Sequence, residues 1–215
     1  MTVLVEGRST LMGLLRPVPE RNPVYAFLLS TAVIFVAELG DKSQLMAMTF
    51  ATRYRARDVI IGITAATAIV HLASVGIGAL IGDAFAEHQH YITIVAGIAF
   101  LVFAGWTLRG DELTEDEAKK ARNSRGMAII AVGIAFFLAE LGDKTMLATI
   151  TLATQEGWLG TWIGSTVGMV AADALAIGVG ALLGRKLPEN VIKYGAAALF
   201  AIFGIILVID GVVQM

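Results

Sequence analysis

The sequence predicts an all-α integral membrane protein with six transmembrane helices, arranged as two inverted repeats of three helices each. Two features predict it: six long apolar segments and a short acidic motif that occurs once in each half. Hydrophobic residues make up 57% of the 215 residues and charged residues 16%, and the mean hydropathy is +0.76. Soluble domains average roughly 45–50% apolar and 25% charged residues, so this composition favours a membrane protein.

Each apolar segment is long enough to cross a bilayer, which takes about 20 residues. The predicted spans are 25–52, 58–83, 91–109, 126–154, 158–184 and 190–213. They divide the chain into an N-terminal tail (1–22), a first three-helix repeat (23–109), a charged linker (110–125) and a second three-helix repeat (126–215). The apolar run at 11–15 in the tail is too short for a signal-peptide core of about 7–15 residues, and no small-residue cleavage site follows it. We therefore expect an interfacial or loosely ordered tail.

Lysine and arginine are concentrated in the loops on one face of the predicted bundle. They are Arg53, Arg55 and Arg57 after the first span, Arg109, Lys119, Lys120, Arg122 and Arg125 after the third, and Arg185, Lys186 and Lys193 after the fifth. The opposite face has only the tail arginines, Arg8, Arg16 and Arg21. Because cytoplasmic loops carry the excess of positive residues, we expect the central linker in the cytoplasm and both termini outside.

An internal repeat joins the two halves. Glu38-Leu39-Gly40-Asp41-Lys42 recurs as Glu140-Leu141-Gly142-Asp143-Lys144, and the register then continues without a gap. Each half has an odd number of predicted spans, so the second half enters the membrane from the opposite side. Transporters built from such inverted repeats place their site near the bilayer midplane. Glycines predict close helix packing at Gly76, Gly78, Gly82, Gly164, Gly168, Gly178, Gly180 and Gly184.

The motif places four carboxylates near the middle of the membrane: Glu38, Asp41, Glu140 and Asp143. Glu38 lies about 13 residues into its predicted helix, or about 20 Å at 1.5 Å per residue. A carboxylate at the bilayer centre costs about 2.5–3.5 kcal/mol on insertion scales, which indicates a function. Gly40 and Gly142 weaken the helix between the acids and predict a local break that would free carbonyl oxygens as ligands.

Further oxygen donors follow each motif, namely the hydroxyls of Ser43 and Thr145 and the amide of Gln44. The predicted metal ligands are Glu38, Asp41, Glu140, Asp143, Gln44, Ser43 and Thr145. Oxygen cages suit hard divalent cations such as Ca²⁺, Mg²⁺ and Mn²⁺. The chain contains no cysteine, which excludes a thiolate site for zinc or copper. Gln44 corresponds to Met146 in the repeat, so the two half-sites would differ.

The charge of these residues predicts a mode of transport. The four motif carboxylates together with Lys42 and Lys144 carry a formal charge of -2 if all are ionised. One divalent cation or two protons would neutralise it, so we predict exchange of one cation for about two protons. His71 and Asp173, at equivalent positions of the second and fifth spans, are candidates for proton relay or for completing the coordination shell. The alternative for both residues is a structural role, in which each is a single hydrogen-bonded polar side chain in the core of its half.

The doubled motif resembles the consensus E-x-G-D-[KR]-[TS] of the calcium/manganese:proton antiporter family, which includes Golgi manganese transporters and bacterial manganese exporters. The match runs over Glu38-Leu39-Gly40-Asp41-Lys42-Ser43 and Glu140-Leu141-Gly142-Asp143-Lys144-Thr145. The resemblance implies proton-driven efflux of a divalent cation from the cytosol, with Mn²⁺ as the first choice and Ca²⁺ as the second. It implies in addition that the motif acids bind the cation. It also implies a bacterial inner membrane location. Its partners would be metal ions, protons and lipid, with no nucleic acid and no required cofactor.

Three other interpretations use the same residues. A divalent-cation channel would use the acids as a selectivity ring and would conduct without a proton gradient. An intramembrane hydrolase would use Asp41 and Asp143 as an aspartyl dyad, but a lysine follows each aspartate and opposes a shared proton. A buried ion-pair cluster would only join the halves, although an excess of acid over base makes poor structural glue. We therefore predict a transporter and not an enzyme.

Overall fold

The computed structural model describes residues 22–109, 128–183 and 189–215, and within these ranges it is all-helical with no strand. The helices are α1 (Pro23–Glu38), α2 (Lys42–Ala51), α3 (Ala56–Ala84), α4 (Gln89–Arg109), α5 (Ala128–Glu140), α6 (Lys144–Gln155), α7 (Trp158–Leu183) and α8 (Glu189–Val213). A 3₁₀ turn, Ala86–His88, precedes α4. The predicted linker 110–125 and the predicted tail, apart from Asn22, lie outside the described residues, as do Arg185 and Lys186.

The helix ends agree with the predicted spans to within two residues, but the first and fourth spans are each divided into two helices. By length and composition, four described helices could cross a membrane: Ala56–Ala84, His90–Arg109, Trp158–Ala181 and Tyr194–Val213. The pair α1 and α2, bent by 78°, makes a fifth if it counts as one broken span. Helix α5 is apolar but shorter. These four to five candidate spans indicate a multi-pass membrane protein, while the predicted number of six is not confirmed.

Local sequence explains where the first half-helices begin and end. The Asn22 side chain accepts a hydrogen bond from the Val24 amide at 3.0 Å, and Pro23 occupies the first helical position of α1. Gly40 and Gly142 have φ angles of 75° and 79°, in the left-handed region that favours glycine. Both breaks therefore lie between the motif acids, at the glycines that the sequence predicts.

The helices of each half pack mainly against helices of the other half. Helix α1 lies along α7 of the second half, and its counterpart α5 lies along α3 of the first half. Helix α3 also contacts α6 and α7, and α7 also contacts α2. The last helices of the halves, α4 and α8, pack against each other. Each motif helix is thus held mainly by the long helix of the other half.

Two apolar clusters join helices of the two halves. One cluster joins α1, α4, α6, α7 and α8 around Phe100 and Phe200, whose ring centroids are 5.9 Å apart. The other joins α2, α3, α5 and α7 around Phe50 and Phe136. Each cluster thus includes residues of helices that carry the motifs.

Glycines set the closest helix contacts. A Cβ at Gly164 of α7 would lie 2.4 Å from the carbonyl oxygen of Phe27, and at the equivalent Gly62 of α3 it would lie 2.8 Å from that of Ile129. The prediction of close packing is confirmed at Gly78, Gly82, Gly164, Gly168 and Gly180. It is wrong at Gly76 and Gly178, where a Cβ would meet nothing within 4 Å. Gly184 lies outside the described residues.

Candidate cation-binding site

The breaks in the two motif helices bring four acidic side chains into the protein interior. Glu38 and Glu140 end α1 and α5, while Asp41 and Asp143 are the N-caps of α2 and α6. All four are at most 6% exposed. The N-terminus of a helix carries a partial positive charge, which stabilises an acid placed there. Each motif thus places one carboxylate on each side of its glycine.

A hydroxyl group orients each glutamate. The Ser43 hydroxyl donates to Oε1 of Glu38, and the Thr145 hydroxyl donates to Oε2 of Glu140 at 2.9 Å. The second carboxylate oxygen of each glutamate is buried and has no hydrogen-bond partner among the described residues. In this arrangement Ser43 and Thr145, which the sequence predicts as ligands, donate to one oxygen of each glutamate and leave the other oxygen buried.

The lysines cross between the motifs. Lys144 forms an ion pair with Oδ1 of Asp41, and Lys42 lies 3.7 Å from Oδ1 of Asp143. The two pairs are not equal, because the Lys144 side chain is 6% exposed and the Lys42 side chain 20%. A cation that approaches either aspartate must therefore compete with the lysine of the opposite motif. The sequence predicts a role in charge balance for both lysines. It does not predict that each lysine pairs with the aspartate of the opposite motif.

Gln44 and its counterpart Met146 hold the two breaks differently. The Gln44 amide oxygen accepts from the Gly40 N–H at 2.8 Å, and its amide nitrogen donates to the Ala172 carbonyl of α7 at 2.8 Å. The Met146 sulfur lies 3.2 Å from the Gly142 nitrogen. A thioether is a weak acceptor, so the first break is held more firmly and is also tied to α7. This contact leaves the Gln44 oxygen one further lone pair for a cation.

Asp173 and His71 occupy equivalent positions, but only Asp173 joins the acidic cluster. Asp173 is fully buried, and the charges of Glu38, Asp41 and Glu140 act on it. His71 is also fully buried, yet no charged group of the described ranges acts on it. Neither the Asp173 oxygens nor the His71 nitrogens have a hydrogen-bond partner in the part of the chain that the structure describes. The structure thus separates two residues that the repeat makes equivalent.

The acidic side chains lie close enough to influence one another, but they do not form a ready-made metal cage. Within the described ranges, no group of three or more histidine, aspartate or glutamate side chains has the geometry to hold a metal ion. A lysine approaches one oxygen of each aspartate, and a hydroxyl donates to one oxygen of each glutamate. A cation at the aspartate oxygens would therefore compete with the lysines.

Comparison with known proteins shows which family the chain is similar to. The family model described as "Divalent cation/proton antiporter GDT1" matches residues 26–115 and 128–214, which include both motifs. A Vibrio cholerae protein named "Putative manganese exporter" is 31% identical over 196 residues, covering 90% of this chain and 95% of the relative. "GDT1-like protein sll0615" of Synechocystis is 28% identical over 196 residues, covering 84% of this chain and 95% of the relative.

A plant relative is longer than this chain. "Protein PAM71-homolog, chloroplastic" of Arabidopsis thaliana is 31% identical over 206 residues, which cover 82% of this chain and 57% of the relative. No solved structure matches the chain. The matching family is one of membrane transporters, which confirms the predicted class and excludes the hydrolase. The chain belongs to the divalent cation/proton antiporter family GDT1.

Proposed function

We propose that the protein exports divalent cations from the cytosol in exchange for protons, with Mn²⁺ as its first substrate and Ca²⁺ as its second. One observation carries the proposal: the two acidic motifs meet in one buried cluster in which each lysine pairs with the aspartate of the other motif. The family description and the name of the Vibrio cholerae relative support the same substrate class.

The side chains provide the chemistry of exchange. Glu38, Asp41, Glu140 and Asp143 supply hard oxygen ligands, with Gln44, Ser43 and Thr145 beside them. A divalent cation replaces the lysine ammonium groups at the aspartates, and protons arriving from the other side of the membrane displace the cation. Four carboxylates and two lysines carry a formal charge of -2. One cation or two protons neutralise it, so the proposed exchange of one cation for two protons is electroneutral.

We further propose six membrane crossings arranged as two inverted three-span repeats, in which α1 with α2 and α5 with α6 each form one broken span. The exchanged packing of α1 on α7 and of α5 on α3 supports this arrangement. The charged loops favour a cytoplasmic linker and both termini outside, and the Vibrio cholerae relative supports a bacterial inner membrane. Alternating access would then move one half against the other around the acidic cluster.

A difference between two equivalent helix contacts supports alternating access. A Cβ at Gly78 of α3 would lie 2.4 Å from the carbonyl oxygen of Ile150, so the α6 backbone packs directly on α3. At the equivalent Gly180 of α7, the nearest atom is the Met48 methyl carbon at 2.7 Å, so a side chain separates α2 from α7. One contact is backbone to backbone and the other is not. Alternation would exchange these two arrangements between the halves.

Transport into proteoliposomes tests the proposal. Purified protein is reconstituted with a metal-sensing dye inside, and uptake of Mn²⁺, Ca²⁺ and Mg²⁺ is compared with and without an acidic interior. We expect gradient-driven Mn²⁺ uptake that Asp41→Asn and Asp143→Asn abolish. Asp210→Asn, which changes an exposed acid of α8, serves as the matched control and should retain it.

Each other result has a defined meaning. Uptake that is indifferent to the pH gradient would indicate a channel. No movement of any cation would leave the motifs with a structural role, and the proposal would fall. A current that scales with uptake under voltage clamp would contradict the electroneutral stoichiometry but not the exchange itself.

A further inference from the structure

We propose that Asp173 is a fifth carboxylate ligand of the transported cation, and that it draws the cation toward the first motif, between Glu38, Asp41 and helix α7. The inference rests on the proposed function, because it assigns one more ligand to the same site. It also makes that site asymmetric, although the two motifs are nearly identical in sequence.

The surroundings of Asp173 supply the first argument. Its side chain is fully buried, and neither oxygen has a hydrogen-bond partner among residues 22–109, 128–183 and 189–215. A buried carboxylate without a compensating partner is costly in a protein and more so at membrane depth. A divalent cation bound nearby would provide that partner. Glu38 also directs an unpartnered buried oxygen, Oε2, into the same cluster.

Packing places Asp173 beside the first motif. Helices α1 and α2, which carry Glu38 and Asp41, both contact α7. The Gln44 amide nitrogen donates to the carbonyl oxygen of Ala172, directly before Asp173, at 2.8 Å. This hydrogen bond ties α2 to α7 one residue from the carboxylate. Gln44 therefore positions Asp173 relative to the first break.

The equivalent place in the other half offers no such group. The repeat places His71 of α3 where α7 has Asp173, and no charged group of the described residues acts on this histidine. The four motif acids alone are contributed equally by the two halves. One additional carboxylate on α7, tied to the first break through Ala172 and Gln44, adds negative charge beside the first motif, and a larger ligand charge raises the affinity for a divalent cation.

Equilibrium binding of Mn²⁺ at fixed pH separates a ligand from a proton carrier, because no proton gradient is present. Mn²⁺ binding to the purified full-length protein is measured by titration calorimetry for the native chain, Asp173→Asn, His71→Asn and the surface control Asp210→Asn. We expect Asp173→Asn to weaken Mn²⁺ binding by about tenfold or more. His71→Asn and Asp210→Asn should stay within about twofold of the native chain.

The outcomes distinguish this inference from the proposed function. Undiminished Mn²⁺ binding by Asp173→Asn would overturn it, and lost gradient-driven transport in that variant would then identify a proton carrier. An equal loss of Mn²⁺ affinity in His71→Asn would overturn the proposed asymmetry of the site. If the native chain binds no Mn²⁺ or Ca²⁺, the proposed function itself fails.

A second variant keeps the test decisive if Asp173→Asn does not fold. Asp173→Glu keeps the charge and moves the carboxylate by one methylene. For a ligand, that displacement changes the ratio of Mn²⁺ to Ca²⁺ affinity, because the two ions require different distances to oxygen. An unchanged ratio in folded Asp173→Glu would overturn the inference.

Discussion

Replacing Lys144 by methionine should destabilise the protein far more than the same replacement of Lys42. Lys144 pairs with Asp41 where the two side chains are 6% and 0% exposed, and removing one partner of a buried pair costs about 3–5 kcal/mol. Lys42 is 20% exposed and lies 3.7 Å from Asp143, whose side chain is 4% exposed, so its loss should cost less, about 1–2 kcal/mol. In a chain of this size each kcal/mol lowers Tm by about 2–4 °C. We therefore expect a loss of about 10 °C for Lys144→Met and of a few degrees for Lys42→Met.

Thermal unfolding of the detergent-solubilised variants in metal-free buffer measures both shifts under one condition. The double variant Lys144→Met with Asp41→Asn removes both charges of the buried pair, so it should recover part of the stability that Lys144→Met loses. Equal shifts for the two lysine variants would refute the reasoning, because the sequence repeat alone makes them equivalent. So would a double variant no more stable than Lys144→Met.

The remaining predictions concern the helix breaks and the helix contacts, and apparent Tm measures each of them. Gln44→Met loses the hydrogen bond to α7 and should cost about 1–3 kcal/mol, whereas Met146→Gln, which supplies a stronger acceptor at the second break, should cost nothing. Gly164→Ala should cost about 1–3 kcal/mol because its Cβ would lie 2.4 Å from a backbone oxygen, whereas Gly178→Ala has open space and should be neutral or stabilising. Gly142→Ala should cost about 1–2 kcal/mol at φ 79°, even though no atom lies within 4 Å of the added Cβ. A neutral Gly142→Ala would show that the second break tolerates another backbone conformation.

The helices and their breaks could be predicted because the relevant signals are local. Long apolar segments bounded by charged or glycine-containing loops fix the helix ends to within two residues. Gly40 and Gly142 predict the breaks because a glycine between two acids weakens a helix wherever it occurs. The same reasoning fails at Gly76 and Gly178, since a small residue shows where close packing is possible but not which face meets a neighbour.

The pairing inside the site could not be predicted because it depends on packing between distant segments. Lys144 meets Asp41 only because each motif helix lies along the long helix of the other half. The same packing brings Asp173 beside the first motif, where the Gln44 amide nitrogen donates to the carbonyl oxygen of the preceding residue, Ala172. Gln44 is predictable as an oxygen ligand for a cation. Its oxygen accepts from the Gly40 N–H only because the broken helix leaves that N–H without a helical partner.

The crossing lysines explain why such a cluster would exchange ions and not conduct them. Without Lys42 and Lys144, the four motif acids would carry a charge of -4, which one divalent cation cannot neutralise in an apolar interior. With the lysines the charge is -2, matched by one divalent cation or by two protons. If Asp173 is included the charge is -3, and one retained proton restores the match, so the proposed exchange would remain two protons for each cation. The form with neither cation nor proton carries uncompensated charge at membrane depth, which makes it the costliest form to move between the two sides. Under the proposed function, obligatory exchange would follow, because only the cation-bound and protonated forms would change sides at low cost.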